Sequence, residues 1–207
     1  ILIENLQIKG EYKLIQNICN NNKKFIELTF FELENNKIGI LYNKLGEILC
    51  EIGNYSLSTK YLNKSLLLNE KNFGIFSEET SMTLTNLGIL YSTLGDYKQA
   101  FNVLKRSDKI NSKIYFINFK EFPKTLAYLG HTYNLIRKYE NAKYHLTKSI
   151  EIYRKNIKNI NQIEFGICLT YFAFFNKIMA DYKNAEKLYI EAIEILEKNL
   201  SKTHPIT

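Results

Sequence analysis

Apolar positions recur along this chain at steps of three and four, and the pattern itself returns at one long, constant interval. In the clearest copy, Leu84, Leu87 and Tyr91 mark one helical face, and Tyr97, Ala100, Phe101, Leu104 and Ile110 mark a second. The spacing predicts two helices around a short turn. Ser77 caps the first helix, Glu78 and Glu79 sit in its positively polarised first turn, Gly95 closes it in a left-handed conformation, and Asp96 opens the next. Leu45-Gly46, Leu87-Gly88 and Leu129-Gly130 are evenly spaced, and the same interval separates Leu49, Tyr91 and Tyr133, then Tyr55, Tyr97 and Tyr139, then Ser58, Ala100 and Ala142. A fourth copy follows one position late, with Tyr182, Ala185, Tyr189 and Ala192 matching Tyr139, Ala142, Leu146 and Ser149. Its first half is worn, with Phe172-Ala173 for Leu-Gly and Asn176 for a large apolar residue. A period of this length marks a stack of helix pairs, in which each unit buries its apolar face against its neighbours.

The expected fold is all-α. A partial repeat over residues 1–33, where Leu6, Gly10 and Tyr12 mirror Leu49, Gly53 and Tyr55, precedes four repeats at 34–75, 76–117, 118–159 and 160–199. A further repeat begins at 200–207, and the chain reads as an excised piece of a longer protein with uncapped terminal helices. Glycine inside a helix costs roughly 1 kcal/mol relative to alanine. Its threefold return at Gly46, Gly88 and Gly130 therefore predicts a close approach of the paired helix, with small residues such as Ala100, Ser107, Ala142 and Ser149 serving the same packing. A phosphate-cradling role needs glycines in a loop after a strand, and no strand is expected.

Small and large residues at this register resemble the tetratricopeptide repeat, and the long period resembles its kinesin-light-chain-like form. The stretch Glu79-Thr80-Ser81-Met82-Thr83-Leu84-Thr85-Asn86-Leu87-Gly88 is similar to the opening of such a repeat. The stretch from Ala185 to Ile193, followed by Asn199-Leu200 and His204-Pro205, is similar to its second half and the following turn. The resemblance implies a right-handed superhelical α-solenoid of antiparallel helix pairs, with the first helix of each pair lining a concave groove. Arg137 and Ala180 stand where Gly53 and Gly95 close the earlier helices, which leaves the turn geometry there, and in the fourth repeat above all, open.

Composition narrows the function. The net charge of +7 admits a nucleic-acid or anionic-lipid partner, but the lysines are dispersed and no aromatic-and-basic signature accompanies them, so nucleic acid is not expected. Cys19, Cys50 and Cys168 are odd in number and far apart, which points to a reducing, cytoplasmic setting instead of a disulfide framework. No apolar run reaches the length of a membrane span. The three histidines, His131, His145 and His204, do not share one helix face, so no metal site and no cofactor are expected. No nucleophile elbow or acid–base pair is present, and an enzyme is not expected.

Function is instead expected on the inner wall. Helical geometry, with the first helices facing inward as the resemblance implies, selects Asn43, Lys44, Glu47, Cys50 and Glu51 in the first repeat. It selects Met82, Thr85, Asn86, Ile89 and Ser92 in the second, and Lys124, Tyr128, His131, Asn134 and Leu135 in the third. In the fourth it selects Ile167, Thr170, Tyr171, Phe174 and Lys177. Asn86 matches the asparagine that kinesin-light-chain-like repeats use to hold a ligand's main chain, and Tyr128, Tyr171 and Phe174 offer aromatic contact area. Glu47 and Glu51 beside Lys44, and Tyr128 where a second cation would stand, argue against a clamp for a C-terminal carboxylate. The expected ligand is a peptide segment of a protein partner, basic or polar near Glu47 and Glu51 and apolar near Tyr171 and Phe174. A peptide-sensing domain of a larger regulator and self-association through the terminal helices are the alternatives.

Overall fold

The computed structural model describes residues 35–114, 121–156 and 161–200. Among these residues there are eight helices and no strand: α1 (Asn35–Glu51), α2 (Tyr55–Phe73), α3 (Glu78–Thr93), α4 (Tyr97–Ile114), α5 (Glu121–Leu135), α6 (Tyr139–Lys155), α7 (Gln162–Ile178) and α8 (Tyr182–Asn199). The expected partial repeat over 1–33 and the start of a further repeat over 201–207 lie outside the described residues. So does Cys19.

Each odd-numbered helix packs on the even-numbered helix that follows it, and each even-numbered helix packs on the next pair. The odd helices also pack on one another, α1 on α3, α3 on α5 and α5 on α7, so they form the shorter, inner wall of the stack. The even helices form the outer wall. There, long side chains span the wider gap as ion pairs, Arg106 to Glu70 and Arg154 to Glu191.

Local sequence explains where these helices start and stop. Ser77 caps α3 by accepting from the Thr80 N–H, Asn54 caps α2 by accepting from Leu57, and Asp181 caps α8 by accepting from Asn184. The four turns between paired helices share one geometry. Gly53, Gly95, Arg137 and Ala180 all take positive φ, at 81°, 77°, 60° and 61°. In each turn the residue after the cap donates its N–H to a carbonyl five positions back, as Asn54 does to Leu49, Asp96 to Tyr91, Lys138 to Tyr133 and Asp181 to Asn176. The question that Arg137 and Ala180 raise is thereby answered. Hydrogen bonding holds an arginine and an alanine in a conformation that glycine adopts without strain.

The inner-helix glycines meet close neighbours, and the neighbour is a leucine. A Cβ added to Gly46, Gly88 or Gly130 would lie under 3.0 Å from Leu62, Leu104 or Leu146 respectively, each at the same place on the paired outer helix. Small residues accompany the contact: Ala100 and Ala142 are fully buried, and Ser58 donates its hydroxyl to the Gly46 carbonyl at 2.7 Å.

A polar ladder runs through the apolar ribbon. Ser65 shares a hydrogen bond with Thr83 at 3.0 Å, and Asn69 donates to both. One period on, Ser107 meets Thr85 and Thr125, while Asn111 donates to Thr125 at 2.8 Å. In the third interval Ser149 meets Cys168, and Tyr153 replaces the asparagine, its buried hydroxyl without a partner. The wear of the fourth repeat is thus visible in its core.

An inner wall joined by charge and by rings

The inner wall divides into an ionic end and an aromatic end. At the ionic end, Lys124 on α5 is 7% exposed, yet it carries an ammonium group. Burying such a charge costs several kcal/mol unless it is paired. Two carboxylates from other helices supply the pairing: Glu47 of α1 at 3.0 Å and Glu164 of α7 at 3.1 Å. Glu47 also holds Lys44 at 3.0 Å, so one carboxylate serves two lysines. Burial alone would raise the Glu47 carboxyl, but Lys124 and Lys44 overcome it and bring it down to about 2. Lys124 responds in kind. Burial works against its charge, and Glu164, Glu47 and Glu121 together hold it well above the ordinary lysine range.

Glu121, in the first turn of α5, has the opposite fate. Burial raises its carboxyl, and the pull of Lys124 does not offset repulsion from Glu164, Glu47 and Glu78, so it stands at about 7. This end therefore gathers Glu47, Glu121 and Glu164 around Lys124, with Glu47 shared by Lys44.

At the aromatic end, His131 stacks on Tyr171 with ring centroids 4.1 Å apart and planes 10° from parallel. Tyr128 meets the Tyr171 ring edge-on at 5.4 Å, and Phe174 lies 6.1 Å from His131. Burial pushes the Tyr128 hydroxyl up to about 12 and the His131 imidazole down to about 4, so His131 is neutral near pH 7. All four residues are half-buried.

The inner helices also carry buried amides. Asn86 on α3 donates its Nδ2 to Asn43 Oδ1 at 3.1 Å, and its own Oδ1 has no partner. Asn134, 2% exposed on α5, has neither amide atom bonded, and Nδ1 of His131 is also without a partner. Buried polar atoms are nearly always hydrogen-bonded, so these call for an explanation.

Among the expected groove residues, Lys44, Glu47 and Lys124 hold positions at the ionic end, Tyr128, His131, Tyr171 and Phe174 hold positions at the aromatic end, and Asn43 and Asn86 bond to each other. Glu51 is exposed at the end of α1, and Ile89 is half-buried. Thr85 does not share this position. It is fully buried, and its hydroxyl bonds to Ser107 and Thr125, because one position's rotation from Asn86 turns it into the seam between α3 and α5. The wall is also less open than the repeat pattern implies, since Asn43 and Lys124 are buried by contacts within the chain. Both lysines that could have clamped a carboxylate are engaged by glutamates.

Glu121 and Glu164 are not among the expected groove residues, although a signal exists. Glu79, Glu121 and Glu164 recur at the repeat spacing, each in the first turn of an inner helix. A helix-dipole role explains one such carboxylate but does not indicate that two of them would meet a lysine. Cys50 and Cys168 are free thiols, pushed by burial to about 11 and about 12, so neither is poised as a thiolate. Among the described residues no group of histidine, cysteine and acidic side chains could hold a metal ion, and no helix is long and apolar enough to cross a membrane.

Comparison with known proteins accords with this architecture. Residues 37–110 match the family described as the tetratricopeptide repeat. No curated protein matches the chain. Among solved structures, BtubC (BKLC) from P. vanneervenii superposes with a TM-score of 0.72 at 13% identity, over 94% of this chain and 76% of that one. A putative kinesin light chain from Podosopora anserina, built of nearly identical TPR-like repeats, superposes with a TM-score of 0.60 at 14% identity, over 95% of this chain and 90% of that one. A double mutant of MamA gives a TM-score of 0.53 at 18% identity, over 89% of this chain and 93% of that one. At these identities the likeness is one of fold.

Proposed function

We propose that this chain, whose residues 37–110 match the tetratricopeptide repeat and whose fold is similar to that of kinesin-light-chain TPR-like repeats, is a non-catalytic binding module that holds a peptide segment of a protein partner along its inner wall. The observation that carries this reading is the pair of incompletely bonded buried amides, Asn86 and Asn134, on the inner helices that also carry the ring cluster. A primary amide both donates and accepts, so it can pair with a peptide group without regard to the ligand's side chains. The rings of Tyr128, His131, Tyr171 and Phe174 offer an apolar platform at little cost in side-chain entropy, as interface anchors do. The partner is then polar or basic toward α1 and apolar toward α7, and the setting is cytoplasmic.

A peptide array probed with the intact chain and with the variant N86A/Y128A/Y171A tests the proposal. The variant is expected to lose about tenfold to a hundredfold in affinity for peptides that bind the native chain. Binding that survives all three substitutions rules out the inner wall as the site. Self-association is a second reading, favoured by the exposure of Tyr182, Ile190 and Ile193 on α8 at 67%, 52% and 52%. Mass in solution that rises with concentration would support it.

A further inference from the structure

The outer wall is where this chain keeps its positive charge. Helices α2, α4 and α6 carry twelve lysines and arginines against four acidic residues, while the four inner helices carry four lysines against six glutamates. The last outer helix, α8, departs from this with three lysines against four glutamates. Within the basic wall one lysine keeps step with the repeat. Lys71, Lys113 and Lys155 recur at the repeat spacing, each exposed in the last turn of its outer helix. A cation there complements the helix dipole, which accounts for each lysine singly. Their alignment follows from helix direction. Ser58 meets Gly46 and Ser65 meets Gly39 on α1, while Ser65 meets Thr83 and Asn69 meets Glu79 on α3, so both neighbours run against α2. The outer helices therefore run parallel, and the three lysines form a row along one edge of the stack. The acidic first turns of α3, α5 and α7 share that edge on its inner side, where Glu121 and Glu164 are drawn to Lys124.

The same edge carries an apolar tip, and its backbone is built to expose it. Helix α2 ends at Phe73 and α3 begins at Glu78, leaving Gly74-Ile75-Phe76-Ser77 to make the turn. Gly74 takes φ 91° and ψ 164°, a region essentially reserved for glycine. Hydrogen bonds fix it from both sides. Its N–H donates to the Glu70 carbonyl at 3.1 Å, and its carbonyl accepts from the Thr80 hydroxyl at 2.9 Å. The turn presents Ile75, 54% exposed, and Phe76, 48% exposed, beside Phe73 at 36%. The Lys113 ammonium lies 4.3 Å from the centre of the Phe76 ring, so the cation row and the apolar tip meet. Single exposed apolar residues are ordinary, but three within four positions on a fixed turn are not.

We propose that this edge docks on an anionic lipid surface, with Ile75 and Phe76 entering the headgroup region and Lys71, Lys113 and Lys155 meeting the anionic headgroups. Stable peripheral anchoring takes two signals, an apolar insertion and a cationic patch, and the edge supplies both. Nucleic acid fits it less well. A base would stack on an open aromatic face, but the Phe76 ring already has an ammonium over it and Ile75 has no π-face. The inference goes beyond peptide binding and does not depend on the inner wall holding a ligand.

Sedimentation with phosphatidylcholine vesicles, with and without about 30% phosphatidylserine, is run on the native chain, on I75S/F76S and on K71E/K155E. The chain contains no tryptophan, so F76W adds a single fluorescent reporter at the tip. Circular dichroism establishes that each variant is helical. If either double variant does not fold, F76W and the salt dependence carry the test.

The native chain is expected to bind the anionic vesicles about tenfold or more tighter than the neutral ones, and salt at about 0.5 M should erase the difference. Both double variants should lose about fivefold or more, and F76W emission should shift to the blue on anionic vesicles. Equal partition onto the two vesicle types overturns the proposal, as does no binding up to about 1 mM lipid. Anionic binding that either double variant retains in full, or that leaves the F76W spectrum unchanged, overturns it as well. Tighter binding of poly(U) RNA than of anionic vesicles, undiminished in I75S/F76S, would make the row a nucleic-acid site and overturn lipid docking.

Discussion

Arg137 and Ala180 hold the left-handed conformation at φ of 60° and 61° that Gly53 and Gly95 hold at the equivalent turns. A residue with a Cβ is disfavoured there by roughly 1–2 kcal/mol, whereas glycine is not. Ala180→Gly is therefore expected to stabilise the chain by about 0.5–1 kcal/mol, even after the added freedom of the unfolded state is counted. A rise in the urea midpoint at constant slope would show it, and a fall would mean that Ala180 makes contacts outweighing its strain. Two carboxylates at the ionic end predict opposite pH effects. Glu47 is depressed from 4.5 to about 2 in the folded chain, so its contribution is complete above pH 4.5 and fades as pH falls toward 2. Glu121 is raised from 4.5 to about 7, so the folded chain favours its protonated form and loses stability as pH rises from 4.5 through 7. Glu121→Gln is expected to match the native chain near pH 4 and to exceed it by about 1–3 kcal/mol at pH 8. Urea midpoints at the two pH values check this, and an equal shift at both would refute the assignment.

At the scale of the helix, packing overrides intrinsic preference. Gly88→Ala would gain about 1 kcal/mol of helix propensity, but the new methyl would meet the branched carbon of Leu104. Overpacking of this kind costs about 1–3 kcal/mol, so a net loss is expected in thermal or urea unfolding, relieved in part by Leu104→Ala. The helices themselves could be read from the sequence because capping residues and apolar spacing agree, as at Ser77 and at Leu84, Leu87 and Tyr91. Glycine's need for a near neighbour was legible too, although the identity of that neighbour was not. A leucine on the following helix is lost among many leucines. The ladder of Ser65, Ser107 and Ser149 recurs at the same period, but small residues look alike whether they donate hydrogen bonds or only save space. Thr85 shows the limit for the site. One position separates a groove residue from a core residue, and only the placement of the neighbouring helix decides which it is.

Across the whole molecule, the inner wall contains a contact that repeat logic does not foresee. Units in a solenoid touch only their neighbours, yet Lys124 on α5 reaches Glu47 on α1, past the intervening α3. Lys124→Met would leave Glu47 and Glu164 without their shared cation. Removing one partner of a buried pair costs about 3–5 kcal/mol, and the partial exposure of both carboxylates puts the expectation near the lower end, about 3 kcal/mol. Guanidinium-free denaturation, with urea at low salt, is the measurement. A change below about 0.5 kcal/mol would mean that water already screens the bridge.

That link between alternate units has a mechanical side. A stack joined only neighbour to neighbour bends freely at each interface, like a hinged chain. One strut from the first unit to the third makes the second interface stiff, because the arc cannot open without separating opposite charges. Because that strut is largely buried, dissolved salt screens it little, and the curvature a visitor meets is expected to hold across ordinary ionic strengths.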